Sequence, residues 1–319
     1  MRLLFLLALC LTVFPGLAST PDSRVFQFTY EIPEADFPAG EAVDIYIPMP
    51  AEYAGQKILL QDLQSSVPGK RGVEDTNGNA YYHLHRPAGS TIPLSATLSW
   101  TVARDAVGAT KEALSEEQLA QYLAPDALVP VGHEILKPIQ AEIYSMRTDD
   151  SQAATARAIY DWVVDNVEYK KVGTGWGNGD TFWACNERYG NCTDFHSLFI
   201  ALARSEGIPA RFEMGFPVPR DRGEGDIGGY HCWVQFYLPE RGWVPIDASE
   251  AAKHPEQRDA LYGGYPADRI HFSTGRDLVI SAGSAEAPLN YFIYPYVEIG
   301  GKPWSGKIAT RFSFAEVKS

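Results

Sequence analysis

One run of the chain, Tyr189-Gly190-Asn191-Cys192-Thr193-Asp194-Phe195-His196, opens an apolar stretch in which Phe195, Leu198, Phe199 and Leu202 recur at helical spacing. Gly207 and Pro209 supply the stop signal. The spacing therefore predicts a helix that starts at or beside Cys192. Unpaired backbone N–H groups and the positive end of the helix dipole favour a thiolate at such a position. A thiolate there is poised to attack carbonyls, and the rest of the chain is read around it.

A thiol nucleophile needs a base, and the base needs an orienting group. His231 begins the run His231-Cys232-Trp233-Val234-Gln235-Phe236-Tyr237-Leu238, which alternates as a strand does. Cys232, Val234, Phe236 and Leu238 form its apolar face, and His231 shares the more open face with Gln235. The turn-like Pro239-Glu240-Arg241-Gly242 leads into Trp243-Val244-Pro245-Ile246-Asp247, so a returning strand brings Asp247 toward the histidine. Spacing alone leaves the hairpin register open. His196, four residues after Cys192 on the same helical face, is a rival base and ranks second.

These motifs resemble the catalytic core of the transglutaminase-like superfamily, the papain-like group that includes many bacterial cysteine proteases. The resemblance rests on Gly190-Asn191-Cys192-Thr193-Asp194-Phe195 and on the run from Leu198-Phe199 through Gly207-Ile208-Pro209-Ala210-Arg211. It continues in His231-x-Trp233, Gly242-Trp243 and Pro245-x-Asp247. Several motifs in the right order are more specific than any one of them. The resemblance implies that Cys192 is the nucleophile, His231 the general base and Asp247 the orienting acid. It implies a thioester acyl-enzyme, resolved by water or by an amine. It also implies an α+β fold whose nucleophile helix packs on an antiparallel sheet. The second oxyanion donor, beside the Cys192 N–H, is sought upstream among Trp183, Asn186, Trp176 and Tyr189, with Trp183 first. His196, Asp194 and Gln235 are expected around the catalytic residues rather than among them.

The flanks bound the architecture. Arg2, the apolar run from Leu3 to Phe14 and the small residues Gly16 and Ala18 read as an export signal over residues 1–18, so a periplasmic or extracellular location is expected. Alternating Phe26, Phe28 and Tyr30, then Val43, Ile45 and Ile47, then Leu94, Ala96, Leu98, Trp100 and Val102 predict an N-terminal β-sandwich over residues 19–108. A capping box at Ser115-Glu116-Glu117-Gln118 starts a helical connector, residues 109–150. The core follows over residues 151–260, and strand-like segments form a C-terminal β extension over 261–319. The Gly-rich stretch Arg222-Gly223-Glu224-Gly225-Asp226-Ile227-Gly228-Gly229 is expected to be a mobile loop beside His231.

Charge and cysteine usage narrow the function. A formal charge of −13, with no basic cluster, argues against nucleic-acid partners. No stretch after the signal is apolar for the ~18 residues a membrane helix needs. Cys185, Cys192 and Cys232 remain after the signal; an odd number implies a free thiol, and Cys185 and Cys232 could pair behind the site. Zinc binding by Cys185, Cys192, His196, His231 and Cys232 is a competing reading, but Cys-x-x-Cys spacing is lacking and adjacent strand residues diverge, so no metal and no cofactor is expected. The reading reached is an exported cysteine peptidase or amidase acting on a peptide or protein amide. The alternatives are a protein-glutamine transglutaminase and a non-catalytic scaffold.

Overall fold

The computed structural model describes residues 23–317, so the expected export signal at 1–18 lies outside the described residues. Six strands come first: β1 (Ser23–Ala35), β2 (Val43–Pro48), β3 (Gln56–Ser65), β4 (Gly69–Val73), β5 (Ala80–Arg86) and β6 (Leu94–Asp105). Their period-two patterns bury Phe26, Phe28, Tyr30 and Ile32 on β1, Val43, Ile45 and Ile47 on β2, and Leu94, Leu98, Trp100 and Val102 on β6. These faces share one hydrophobic cluster, as the two layers of a sandwich do.

The chain then turns helical with α1 (Glu116–Leu123), α2 (Lys137–Met146) and α3 (Gln152–Asn166). Ser115 and Gln118 make the reciprocal capping-box bonds at the start of α1. Beyond α3 come β7 (Glu168–Tyr169), α4 (Thr181–Glu187), β8 (Tyr189–Gly190) and the long helix α5 (Cys192–Ser205). Strands β9 (Ala210–Pro217), β10 (Glu224–Asp226), β11 (His231–Leu238) and β12 (Gly242–Ile246) follow, then α6 (Ala248–Lys253) and β13 (Arg269–Thr274). The chain closes with β14 (Tyr296–Ile299), β15 (Lys302–Pro303) and β16 (Arg311–Glu316).

Four core strands form an antiparallel sheet in the order β12-β11-β9-β13, and α5 packs on it through β11 and β9. Every residue of β11 is buried, including those on the face expected to be open. Residues flanking the early strands cover that face: Trp233 clusters with Ala54, Val107 and Tyr265, and Tyr53 donates to Glu213, the β9 register partner of Trp233. The core sheet thus lies between α5 and the β-sandwich. The β11–β12 register pairs Leu238 with Gly242 and Val234 with Ile246. Gly242 turns with φ +75°, and a Cβ there would stand 2.1 Å from the Thr110 carbonyl oxygen, so only glycine fits this corner.

The C-terminal segment is divided among all three large sheets rather than kept apart. β13 joins the core sheet; β16 pairs with β1, and β14 pairs with β2. The resulting orders are β10-β16-β1-β6-β3 and β15-β14-β2-β5-β4. β1 and β2 are each covered on one side by a nearby strand, β6 or β5, and a bare second edge would invite misassociation. The final strands cover those edges. The Gly-rich segment before His231, expected to be a loop, contains β10, which pairs with β16 through Glu224 to Asp226. The partner for that strand is almost ninety residues away in sequence, beyond any local signal. The whole is a mixed α+β fold in which, among the described residues, β7 with β8 is the parallel pairing.

Candidate active site

Asn191 caps α5 with its side-chain oxygen accepting from the Thr193 N–H at 2.9 Å. Asp194 completes the capping box by accepting from the Asn191 N–H at 2.9 Å. The Asp194 carboxylate also accepts from the N–H groups of Gly177 and Gly179, at 2.7 and 3.1 Å, and so ties the preceding loop to the helix tip. Gly190 permits this close approach, since a Cβ there would lie 2.1 Å from Asp194 Oδ2. Burial raises the Asp194 pKa against the pull of its backbone donors. Cys192 is therefore held at the first turn of a rigidly capped helix.

His231 opens β11, and its Nε2 meets Asp247 Oδ2 at 2.6 Å. Cys192 neighbours the His231 ring, close enough for each to shift the other's titration. With Nε2 engaged by the carboxylate, Nδ1 is the ring nitrogen left for the thiol. Asp247, just past the end of β12, is fully buried and heavily partnered. Arg269 Nη1 donates to its Oδ2 at 3.0 Å, while the Ser249 hydroxyl and the Glu250 N–H donate to its Oδ1 at 3.1 and 3.0 Å.

Burial alone would raise the pKa values of Cys192 and Asp247 and lower that of His231. The pairings reverse all three. The neighbouring Cys232 and His231, with the imidazole charge, hold the Cys192 thiol well below the ordinary range. The His231 charge and hydrogen bond, with the nearby His196 and the Arg269 charge, hold Asp247 well below the carboxylate range. His231, against desolvation, is pushed up to about 10, chiefly by Asp247 and then by Cys192. These directions favour a thiolate beside an imidazolium, backed by a buried carboxylate.

Of the other residues expected here, His196 is close. Its Nδ1 lies 3.4 Å from Cys232 Sγ and its Nε2 3.6 Å from Asp247 Oδ1, so it stands between the carboxylate and a second thiol. Gln235 is not at the catalytic cluster: its amide bonds Arg211 and Tyr265 instead. The indole N–H of Trp183 donates to the Tyr189 carbonyl at 3.1 Å, and that of Trp176 to the Gly173 carbonyl at 3.1 Å, so both donors are engaged within their own loop. Asn186 is exposed on α4.

Cys232 corrects the expectation that it would lie behind the site. All three described cysteines are free, and the Cys232 thiol neighbours that of Cys192. Consecutive strand residues face opposite ways, so both His231 and Cys232 reach Cys192 only if that thiol sits at the end of β11 rather than over either face. Burial, followed by the neighbouring Cys192, pushes the Cys232 thiol well up, opposite to the direction at Cys192. Arg269 and Tyr230 were also missed. Tyr230 accepts a bond from Asn191 Nδ2 at 3.0 Å, and Arg269 stands on a strand whose pairing with β9 is non-local.

A capped helix-tip thiol, a strand imidazole and a buried carboxylate thus lie together in a mixed α+β fold. Residues 139–248 match the family model of the transglutaminase-like superfamily, so this part of the chain is a transglutaminase-like domain. An uncharacterised protein of Haemophilus influenzae is 34% identical over 180 residues, covering 46% of this chain and 49% of that protein. The uncharacterised protein YebA of Bacillus subtilis is 33% identical over 79 residues, 22% of this chain and 11% of that one. The matched stretches thus span half or less of these curated relatives. In fold, the chain resembles a candidate cysteine protease from Cytophaga hutchinsonii, with a TM-score of 0.59 and 19% identity over 94% of this chain and 93% of that one.

Proposed function

We propose that the protein is an exported cysteine peptidase or amidase. The Cys192 thiolate adds to an amide carbonyl carbon, and the backbone N–H of Cys192 is the first donor to the resulting oxyanion. His231 gives its proton to the leaving nitrogen, the C–N bond breaks, and a thioester remains on Cys192. Water then attacks, His231 takes its proton, and the C–S bond breaks to release the acid. Asp247 holds the imidazole ring and stabilises its charge throughout. Water is favoured over an amine because it needs no second binding site.

The observation that carries this reading is the grouping of Cys192, His231 and Asp247 at the tip of α5, with a pKa direction at each that favours the ion pair. Alkylation of Cys192 by iodoacetamide, followed by peptide mapping across pH, tests it. Cys192 is only 2% exposed, so the pH profile rather than the absolute rate is the readout. Labelling should persist well below the free-thiol pKa of about 8.5 and lose that acid tolerance in His231→Ala. A profile that follows an ordinary thiol, or one that ignores the His231 substitution, would refute the activated pair. With a glutamine-containing peptide and a primary amine both supplied, release of ammonia without amine incorporation distinguishes hydrolysis from acyl transfer.

A further inference from the structure

On the outer face of the β-sandwich, away from the cysteine cluster, strand register brings three metal-ligand side chains together. His83 and His85 are two apart on β5 and so project from one face. Asp44 on β2 is the direct register partner of His85, and Tyr46 that of His83. His83 Nε2 lies 2.7 Å and His85 Nδ1 2.8 Å from the same Asp44 oxygen, Oδ1. The three ligand atoms all fall within 4.8 Å of one another.

We propose that Asp44, His83 and His85 form a binding site for a zinc-type divalent cation. Two imidazoles and one carboxylate are the donors that borderline first-row ions take, whereas calcium and magnesium call for oxygen ligands throughout. Three protein ligands leave further coordination positions for water, and His85, with its side chain 52% exposed, leaves that side open to solvent. Two features prepare the site. Tyr46 stacks flat on the His83 ring, with centroids 4.4 Å apart and planes within 3°, which fixes the orientation of that ligand. On the other side of β2, Glu298 of β14 is the register partner of Asp44, so two carboxylates stand opposite each other. Like charges in that relation are unfavourable, and a bound cation offsets them.

Against this stands the reading in which the two histidines only hydrogen-bond Asp44. Both readings use the same contacts, and they part on whether metal binds. Zinc ion titrated calorimetrically into the intact protein, beside the His83→Ala, His85→Ala and Cys192→Ser variants, separates them. One equivalent of zinc should bind and weaken at least about tenfold when either histidine is removed, while persisting in Cys192→Ser. Cobalt ion at the same site should give an absorption spectrum without a thiolate charge-transfer band. Because the site lies on the sheet surface, the alanine variants should keep the wild-type circular dichroism, and Asp44→Asn should weaken binding without changing it either. The proposal is overturned if no zinc binds, if binding is unchanged in both histidine variants, or if it is lost in Cys192→Ser with a thiolate band in the cobalt form. The last result would assign the metal to the cysteine cluster.

Discussion

At the residue scale, the chemistry of the site depends on how charge is divided along Cys192, His231 and Asp247. Below its unfolded pKa of about 6.5 the imidazole is protonated folded or unfolded, so the stabilisation from its pairing is fully present there. That contribution is lost as pH rises through about 10, where the folded His231 gives up its proton. Asp247 acts with the opposite sign: its pKa is depressed, so its stabilisation is present above the unfolded value of about 3.9 and lost as pH falls through the folded one. Asp247→Asn keeps the shape but removes the charge that raises His231 most. A less basic imidazole stabilises the thiolate less, so the acid limb of the Cys192 labelling profile should move up in pH toward the ordinary thiol range, as mapped by mass spectrometry. An unmoved limb would mean that Asp247 does not set the state of His231. Arg269→Met leaves Asp247 with one cation fewer in a buried setting, and breaking a buried pair of this kind costs about 3–5 kcal/mol. Denaturant melts at neutral pH should show that loss.

At the scale of elements, the N-terminus of α5 is the part the site is built on. Asn191 caps the helix and reaches Tyr230, while Asp194 closes the box and holds Gly177 and Gly179. Asn191→Ala removes the cap acceptor and should lower stability by ~1 kcal/mol. It also frees the helix tip next to Cys192, so the labelling profile should shift toward an ordinary thiol by more than the stability loss alone explains. Equal profiles in the two proteins would show that the cap serves only folding. The helix start was legible because capping residues and apolar spacing are local. So was the β11–β12 hairpin, whose turn residues lie between two short apolar strands. The face of Gln235 was misjudged for the opposite reason: an alternating pattern signals one covered side, and the β-sandwich that covers the second side is built more than a hundred residues earlier.

At the scale of the molecule, the N-terminal sheets depend on the end of the chain. β16 lies against β1, and β14 against β2, so residues from both ends make each sheet. A fragment limited to residues 23–108 would expose those two edges. It should fail to give the cooperative thermal unfolding of the full chain and should aggregate, as followed by circular dichroism and light scattering. A soluble, cooperatively folding fragment would show that the early strands are self-sufficient. No helix among the described residues is long and apolar enough to cross a membrane.

The amino-acid sequence by itself determined the parts whose physics is local. These are the helix that begins at Cys192, the strand that begins at His231, the turn that leads to Asp247, and the alternating faces of the early strands. Caps, turns and periodic burial act over a few residues, and so they can be read in order along the chain. Only the tertiary structure decided what meets across long separations. It set Arg269 on Asp247, Cys232 beside Cys192, His196 between carboxylate and thiol, and Asp44 between two histidines. Those meetings follow from strand register and from which faces pack together, and a one-residue slip in register would have reversed them.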